Sequence, residues 1–118
     1  MNEIEHKNLP PLIFNLKGWI KLVDDKQLKE LFEDILNKAE FTILNYSAHQ
    51  FPLNGYTAFW LLAESHLALH TFTESGWCYI ELSSCNKEKT SVFRKLTHSL
   101  PLDVKWDDEI KLSTPISE

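Results

Sequence analysis

Glycine and cysteine are scarce, and no long apolar run or block of one charge sign interrupts the 118 residues. Three Gly beside an apolar fraction of 43% exclude a disordered chain and point to a compact globule. Two Cys are too few for a disulfide framework, which makes the reducing cytoplasm the default location. The 12 Lys and Arg are scattered among 17 Asp and Glu for a net charge of −5, so no basic stripe could neutralise a phosphate backbone. Nucleic acid is not an expected partner. The longest apolar run, Ala58 to Ala63, is far short of the roughly 20 residues a membrane span needs, so no membrane association is expected. The first stretch, MNEIEHKNLPPLIF, begins acidic and has no apolar core before a cleavage site, which predicts no secretory signal. Residues 1–118 are expected to form a single domain.

What is present reads as alternating sheet and helix. LIFNLKGWIKL, residues 12–22, is a strand with a kink or bulge at its Gly. Asp24 and Asp25 offer N-cap oxygens to a helix whose Leu28, Leu31, Phe32, Ile35 and Leu36 form one buried stripe. EFTILNYSAHQF has strand composition, PLNGY carries turn chemistry, and TAFWLLA is apolar on both alternating faces, as in a strand covered on both sides. After a hairpin, Ser84 or Asn86 can cap a second helix carrying Val92, Phe93, Leu96 and Leu100, stopped by Pro101. A last strand around DVKWDDEIKL precedes a polar tail. The order β-α-β-β-β-β-α-β predicts an α+β fold, a two-layer sandwich of one antiparallel sheet with two helices packed on one face.

LLAESHLALHTFTESGWCYIELSSCN, residues 61–86, crowds four Ser, two His and two Cys into predicted sheet. Polar atoms there are costly unless partnered. A three-residue hairpin loop at Glu74-Ser75-Gly76 sets Ser65 opposite Cys85 and Cys78 opposite Phe72, with cross-strand Cβ atoms roughly 4.5–5.5 Å apart. A bulge at Gly76 would shift this register by one. His70, five residues along the strand from Ser65, falls on the other face and roughly 16 Å away. Either the chain bends near Ser65, or His70 serves something else. Cys85 precedes a helix N-terminus, where the macrodipole favours negative charge on sulfur; the alternative is that it merely packs, as Cys78 is expected to do. His66 and His70 share one face of a strand about 13 Å apart, too far for one metal, so no metal site is predicted. No G-x-S-x-G elbow surrounds Ser65 to mark a hydrolase. Trp19, Trp60, Trp77 and Trp106 read as core or subunit-contact residues.

AESHLALHTFTESG with SSCN downstream resembles the short, prokaryotic S-adenosylmethionine decarboxylase proenzymes. Their signature is Ser-Glu-Ser-His-(Leu/Ile)-x-Ile-His-Thr-Trp-Pro-Glu-x-Gly, followed by Thr-Cys-Gly. Glu64, Ser65, His66, Leu67, His70, Thr71, Glu74, Gly76 and Cys85 match without a gap. Upstream, His49, Phe51 and Gly55 match a Ser-x-His-x-Phe…Gly-x-Ser-Gly segment. The resemblance implies self-cleavage between Glu64 and Ser65 into a β chain, 1–64, and an α chain, 65–118, whose first residue becomes a pyruvoyl group. It further implies that His70 promotes processing with Thr57 in support, and that Cys85 reprotonates the substrate carbon. By the same resemblance Phe51 stacks on the adenine of S-adenosylmethionine, Glu74 contacts sugar hydroxyls, and the protein is a homodimer with sites near the subunit contact.

The departures are specific. Thr57 and Ala58 stand where the family has Ser and Gly, TFTE replaces Thr-Trp-Pro-Glu, Asn86 replaces a Gly, and an N-terminal Gly-x-His segment has no counterpart. They define the alternatives: a relative acting on arginine or ornithine, or an unprocessed binding or regulatory homologue.

Overall fold

The computed structural model describes residues 9–53 and 55–113. The secretory-signal reading, the polar tail and Asn54 of the PLNGY turn therefore fall partly or wholly outside the described residues. The elements are β1 (Phe14–Ile20), α1 (Asp25–Lys38), β2 (Ile43–Phe51), β3 (Gly55–Leu62), β4 (Ser65–Phe72), β5 (Trp77–Ser84), α2 (Lys87–His98), β6 (Val104–Trp106) and α3 (Asp107–Ser113). All strands pair antiparallel in the order β2-β3-β4-β5-β1-β6.

Helices α1 and α2 each begin where a side chain accepts one of the orphan N–H groups of the first turn. Asp24 accepts from the Gln27 N–H at 2.9 Å, and Asn86 does the same for Lys89 at 2.9 Å. Helix α1 ends in paired bonds from Glu40 N–H to Asn37 and from Phe41 N–H to Leu36, with Glu40 left-handed at φ +68°. The buried stripe of α1 is Leu28, Phe32, Ile35 and Leu36, and Phe32 meets Phe93 of α2 with ring centroids 6.0 Å apart. Both helices cover one sheet face, on which Trp60, Leu62, Leu67, Leu69, Ile80 and Leu82 are buried.

The α+β sandwich is as the sequence predicts, with four local differences. Gly18 causes no bulge: β1 runs in unbroken register against β5, and a Cβ at Gly18 would stand 2.5 Å from the Lys105 carbonyl and from Trp106, which cross over it. The last predicted strand stops at Trp106. Glu109 then accepts from the Trp106 N–H at 3.2 Å, and the chain turns into α3, tied to α2 by the Arg94 guanidinium on Asp108 and Glu109. Helix α2 ends at His98, two residues before Leu100.

The fourth difference moves the site. The β4–β5 loop holds four residues, 73–76, because the Ser75 and Gly76 N–H groups both bond to the Phe72 carbonyl. Gly76 takes the expected positive φ, +78°. Phe72 therefore faces Trp77, Thr71 faces Cys78, and Ser65 faces Ser84. The predicted Ser65–Cys85 and Phe72–Cys78 pairs are each displaced by one residue.

Candidate active site

Strands β3 and β4 are joined by Ala63 and Glu64 alone, and Glu64 has φ +63°. A residue with a Cβ pays roughly 1–2 kcal/mol to sit in that region. The turn is anchored by the Ala63 N–H on the Thr42 carbonyl at 2.9 Å. The next residue is Ser65; the turn precedes it and β4 runs unbroken from Ser65 to His70, so of the two alternatives the bend does not bring His70 to this serine within one chain.

Ser65 and Cys85 line one cavity of about 410 Å³ at this end of the sheet. Its apolar walls are Ile13, Leu44, Leu61 and Leu62, and Glu64, His66, Ser83 and Ser84 complete it. Cys85 is not in the sheet; it lies in the short link between β5 and the N-cap of α2, and it is exposed. Losing the cross-strand position has thus not removed it from the serine's cavity. The Ser65 hydroxyl donates to the Ser84 hydroxyl oxygen at 2.8 Å, and that oxygen also accepts the Asn86 N–H at 2.9 Å. Sequence reading treats Ser84 only as a cap or turn residue; a four-residue loop count is the signal that would have put it opposite Ser65.

His70 belongs to a different place. It alternates with the buried Leu69 and Thr71 and stands on the sheet face without helices. There its Nδ1 lies 3.1 Å from the Thr57 hydroxyl and its ring stacks on Tyr79 at 6.1 Å. Neighbouring strands extend this row to His49 on one side and Trp19 on the other. His49 packs edge-on against Phe51 at 4.5 Å. Glu74 lies at the far end of β4, lining a second cavity of about 740 Å³ with Trp19, Phe72 and Trp77. Within one chain the structure brings Ser65 to Cys85 and Thr57 to His70. Neither of the two cavities joins Ser65 and Cys85 to Phe51 or Glu74.

The other groups have structural roles. Cys78 is fully buried, and burial pushes its thiol up to about 12 despite a backbone hydrogen bond that acts the other way. Trp60 and Trp106 are core, whereas Trp19 and Trp77 line the larger cavity. His66 stacks on Phe59. Among the described residues no group of three or more His, Cys, Asp or Glu could hold a metal ion, and no helix is long and apolar enough to cross a membrane.

The profile of S-adenosylmethionine decarboxylase matches residues 12–104. The chain belongs to the S-adenosylmethionine decarboxylase family. Among its relatives, the S-adenosylmethionine decarboxylase proenzyme of Prochlorococcus marinus is 35% identical over 68 residues, which are 58% of this chain and 54% of that protein. The proenzyme of Methanococcus aeolicus is 31% identical over 78 residues, covering 64% of this chain and 67% of the relative. The chain spans about half the length of most of the curated relatives it matches. The crystal structure of the adenosylmethionine decarboxylase from Aquifex aeolicus shares the fold, with a TM-score of 0.60 at 20% identity over 83% of this chain and 90% of that one.

Proposed function

We propose that this chain is a self-processing carboxy-lyase that decarboxylates S-adenosylmethionine to the aminopropyl donor for spermidine synthesis. The observation that carries this reading is that Ser65 and Cys85 share one cavity, directly after a residue held left-handed. Family membership and the proenzyme names of the relatives support it.

The first reaction is on the chain itself. The Ser65 Oγ attacks the Glu64 carbonyl carbon; a C–O bond forms, the peptide C–N bond breaks, and the hydroxyl proton ends on the freed nitrogen. Loss of the Ser65 α-proton then expels the Glu64 carboxylate, separating residues 1–64 from 65–118. Water hydrolyses the resulting dehydroalanine terminus, ammonia leaves, and a pyruvoyl ketone remains. This ketone supplies the electron sink that decarboxylation requires. The fit rests on the hydroxyl at residue 65, the strained turn before it and the cavity around it. Ile13, Leu44, Leu61 and Leu62 give that cavity an apolar wall, and because the first three are exposed, a dry site in which electrostatic contacts strengthen needs a further surface over it. Cys85 Sγ returns a proton to the substrate carbon.

In this reading Thr57 and His70 assist processing, Phe51 stacks on adenine and Glu74 holds sugar hydroxyls. These four lie away from Ser65 in one chain, so in this reading a homodimer brings the open sheet face of one protomer to the end of the partner's sheet, where the Ser65 cavity opens. Exposed Phe59, Leu61 and Phe72 on that face support such a contact. Two unpaired thiols support a cytoplasmic location.

The distance of His70 from Ser65 favours one second reading, an unprocessed binding or regulatory homologue. Intact mass separates the two. The expected result is two fragments divided between residues 64 and 65, the later one blocked to N-terminal sequencing, and one uncut chain for Ser65→Ala. A wild-type chain that stays whole after long incubation overturns the proposal. Turnover of arginine or ornithine, with none of S-adenosylmethionine, would overturn the substrate alone.

A further inference from the structure

We infer that Ser84 is a positioning residue for self-processing: its hydroxyl oxygen, fixed by the first turn of α2, orients the Ser65 hydroxyl toward the Glu64 carbonyl. The inference rests on the reading of Ser65 as the attacking residue.

Ser84 is 2% exposed, so its hydroxyl must find partners within the protein. Its oxygen accepts two hydrogen bonds, from Ser65 Oγ at 2.8 Å and from the Asn86 N–H at 2.9 Å. The second donor is rigid. The Asn86 side chain caps α2 by accepting from the Lys89 N–H at 2.9 Å, and its carbonyl accepts the Thr90 hydroxyl at 2.8 Å and the Thr90 N–H at 3.2 Å. A hydroxyl is normally a free rotor, but here a helix terminus fixes the acceptor on one side and a cross-strand pair fixes the donor on the other.

The consequence for Ser65 is directional. Its proton points at Ser84, which leaves oxygen lone pairs for the carbonyl carbon that the left-handed Glu64 presents. Holding the attacking atom in one rotamer supplies the orientation that an intramolecular acyl shift depends on. Ser84 is unchanged by the step, because the proton leaving Ser65 Oγ ends on the Ser65 nitrogen. The Ser84–Asn86 contact also closes the chain around Cys85, so one side chain fixes both the attacking hydroxyl and the segment displaying the thiol.

The test follows chain splitting by intact mass after a pulse of cell-free synthesis. Ser84→Ala should slow splitting about tenfold, and Ser84→Thr, which keeps the oxygen, should stay within about threefold of wild type. Hydroxylamine cleaves an ester but not an amide, so it should not restore splitting in Ser84→Ala if ester formation is the impaired step. Should Ser84→Ala misfold by circular dichroism, Ser84→Thr and Ser84→Val repeat the comparison with equal shapes that differ in the oxygen. Splitting of Ser84→Ala at the wild-type rate, rescue by hydroxylamine, or equal rates for the Thr and Val variants would overturn the inference alone. A wild-type chain that never splits would overturn the self-processing reading as well.

Discussion

Strand β4 runs between two turns that solve the same backbone problem with different residues. At its end, the β4–β5 turn puts Gly76 at φ +78°, where the missing Cβ removes the steric cost. At its start, the β3–β4 turn puts Glu64 at φ +63° and carries that cost. Glu40 is left-handed too, but two backbone hydrogen bonds that close α1 accompany it. Strain at Glu64 instead adjoins a hydroxyl, a thiol and a cavity. The difference teaches that a turn can be judged by the residue it refuses: glycine would relieve Glu64, and a side chain there keeps strain beside Ser65, where the proposed self-processing would use it.

The comparison breaks first, and most severely, at the thiol beside the strained turn. Cys85→Ala should leave chain splitting intact while lowering decarboxylase turnover on the order of 100-fold, as loss of a general acid does. Separate assays of fragment mass and CO2 release check this, and equal loss of both would place Cys85 in processing instead.

The turns themselves can be exchanged in character. In a Ser65→Ala background that keeps the chain whole, Glu64→Gly should stabilise the fold by roughly 1 kcal/mol and Gly76→Ala should destabilise it by a similar amount. Denaturant midpoints read both changes. With Ser65 restored, Glu64→Gly should also slow splitting, whereas Gly76→Ala should not; shifts of the same sign in both variants would erase the distinction between the turns.

The smallest effect concerns the two thiols. At pH 8 one thiol, the exposed Cys85, should react quickly with an alkylating reagent, and Cys78 only on unfolding. Burial raises the Cys78 value to about 12, so the native state holds the proton more tightly than the unfolded chain does. That contribution to stability is complete below the ordinary thiol range near ~8.5 and is lost as pH rises toward the native value. Two thiols reacting equally fast at pH 8 would contradict the burial of Cys78.

Much of this molecule is legible without coordinates. Asp24 and Asn86 announce the helix starts, the Leu28 to Leu36 spacing marks the buried face of α1, and the motif around Ser65 points to the family. The site is less legible because its geometry depends on a loop count. Reading three residues at 74–76 instead of four at 73–76 exchanges Ser84 for Cys85 opposite Ser65, and with a side-chain period of two that single step changes which face every partner occupies. Gly18 misleads for a related reason. Its cause is Trp106, far away in sequence, crossing close to the backbone.

By itself the chain determined which segments up to Trp106 become strand or helix and which reactive groups are available, since propensity, capping and periodicity act over a few neighbouring residues. Tertiary structure decided which of those groups meet. Cross-strand register joined Ser65 to Ser84 and Thr57 to His70, and the link into α2 set Cys85 at the cavity of Ser65, because those outcomes depend on how distant segments align.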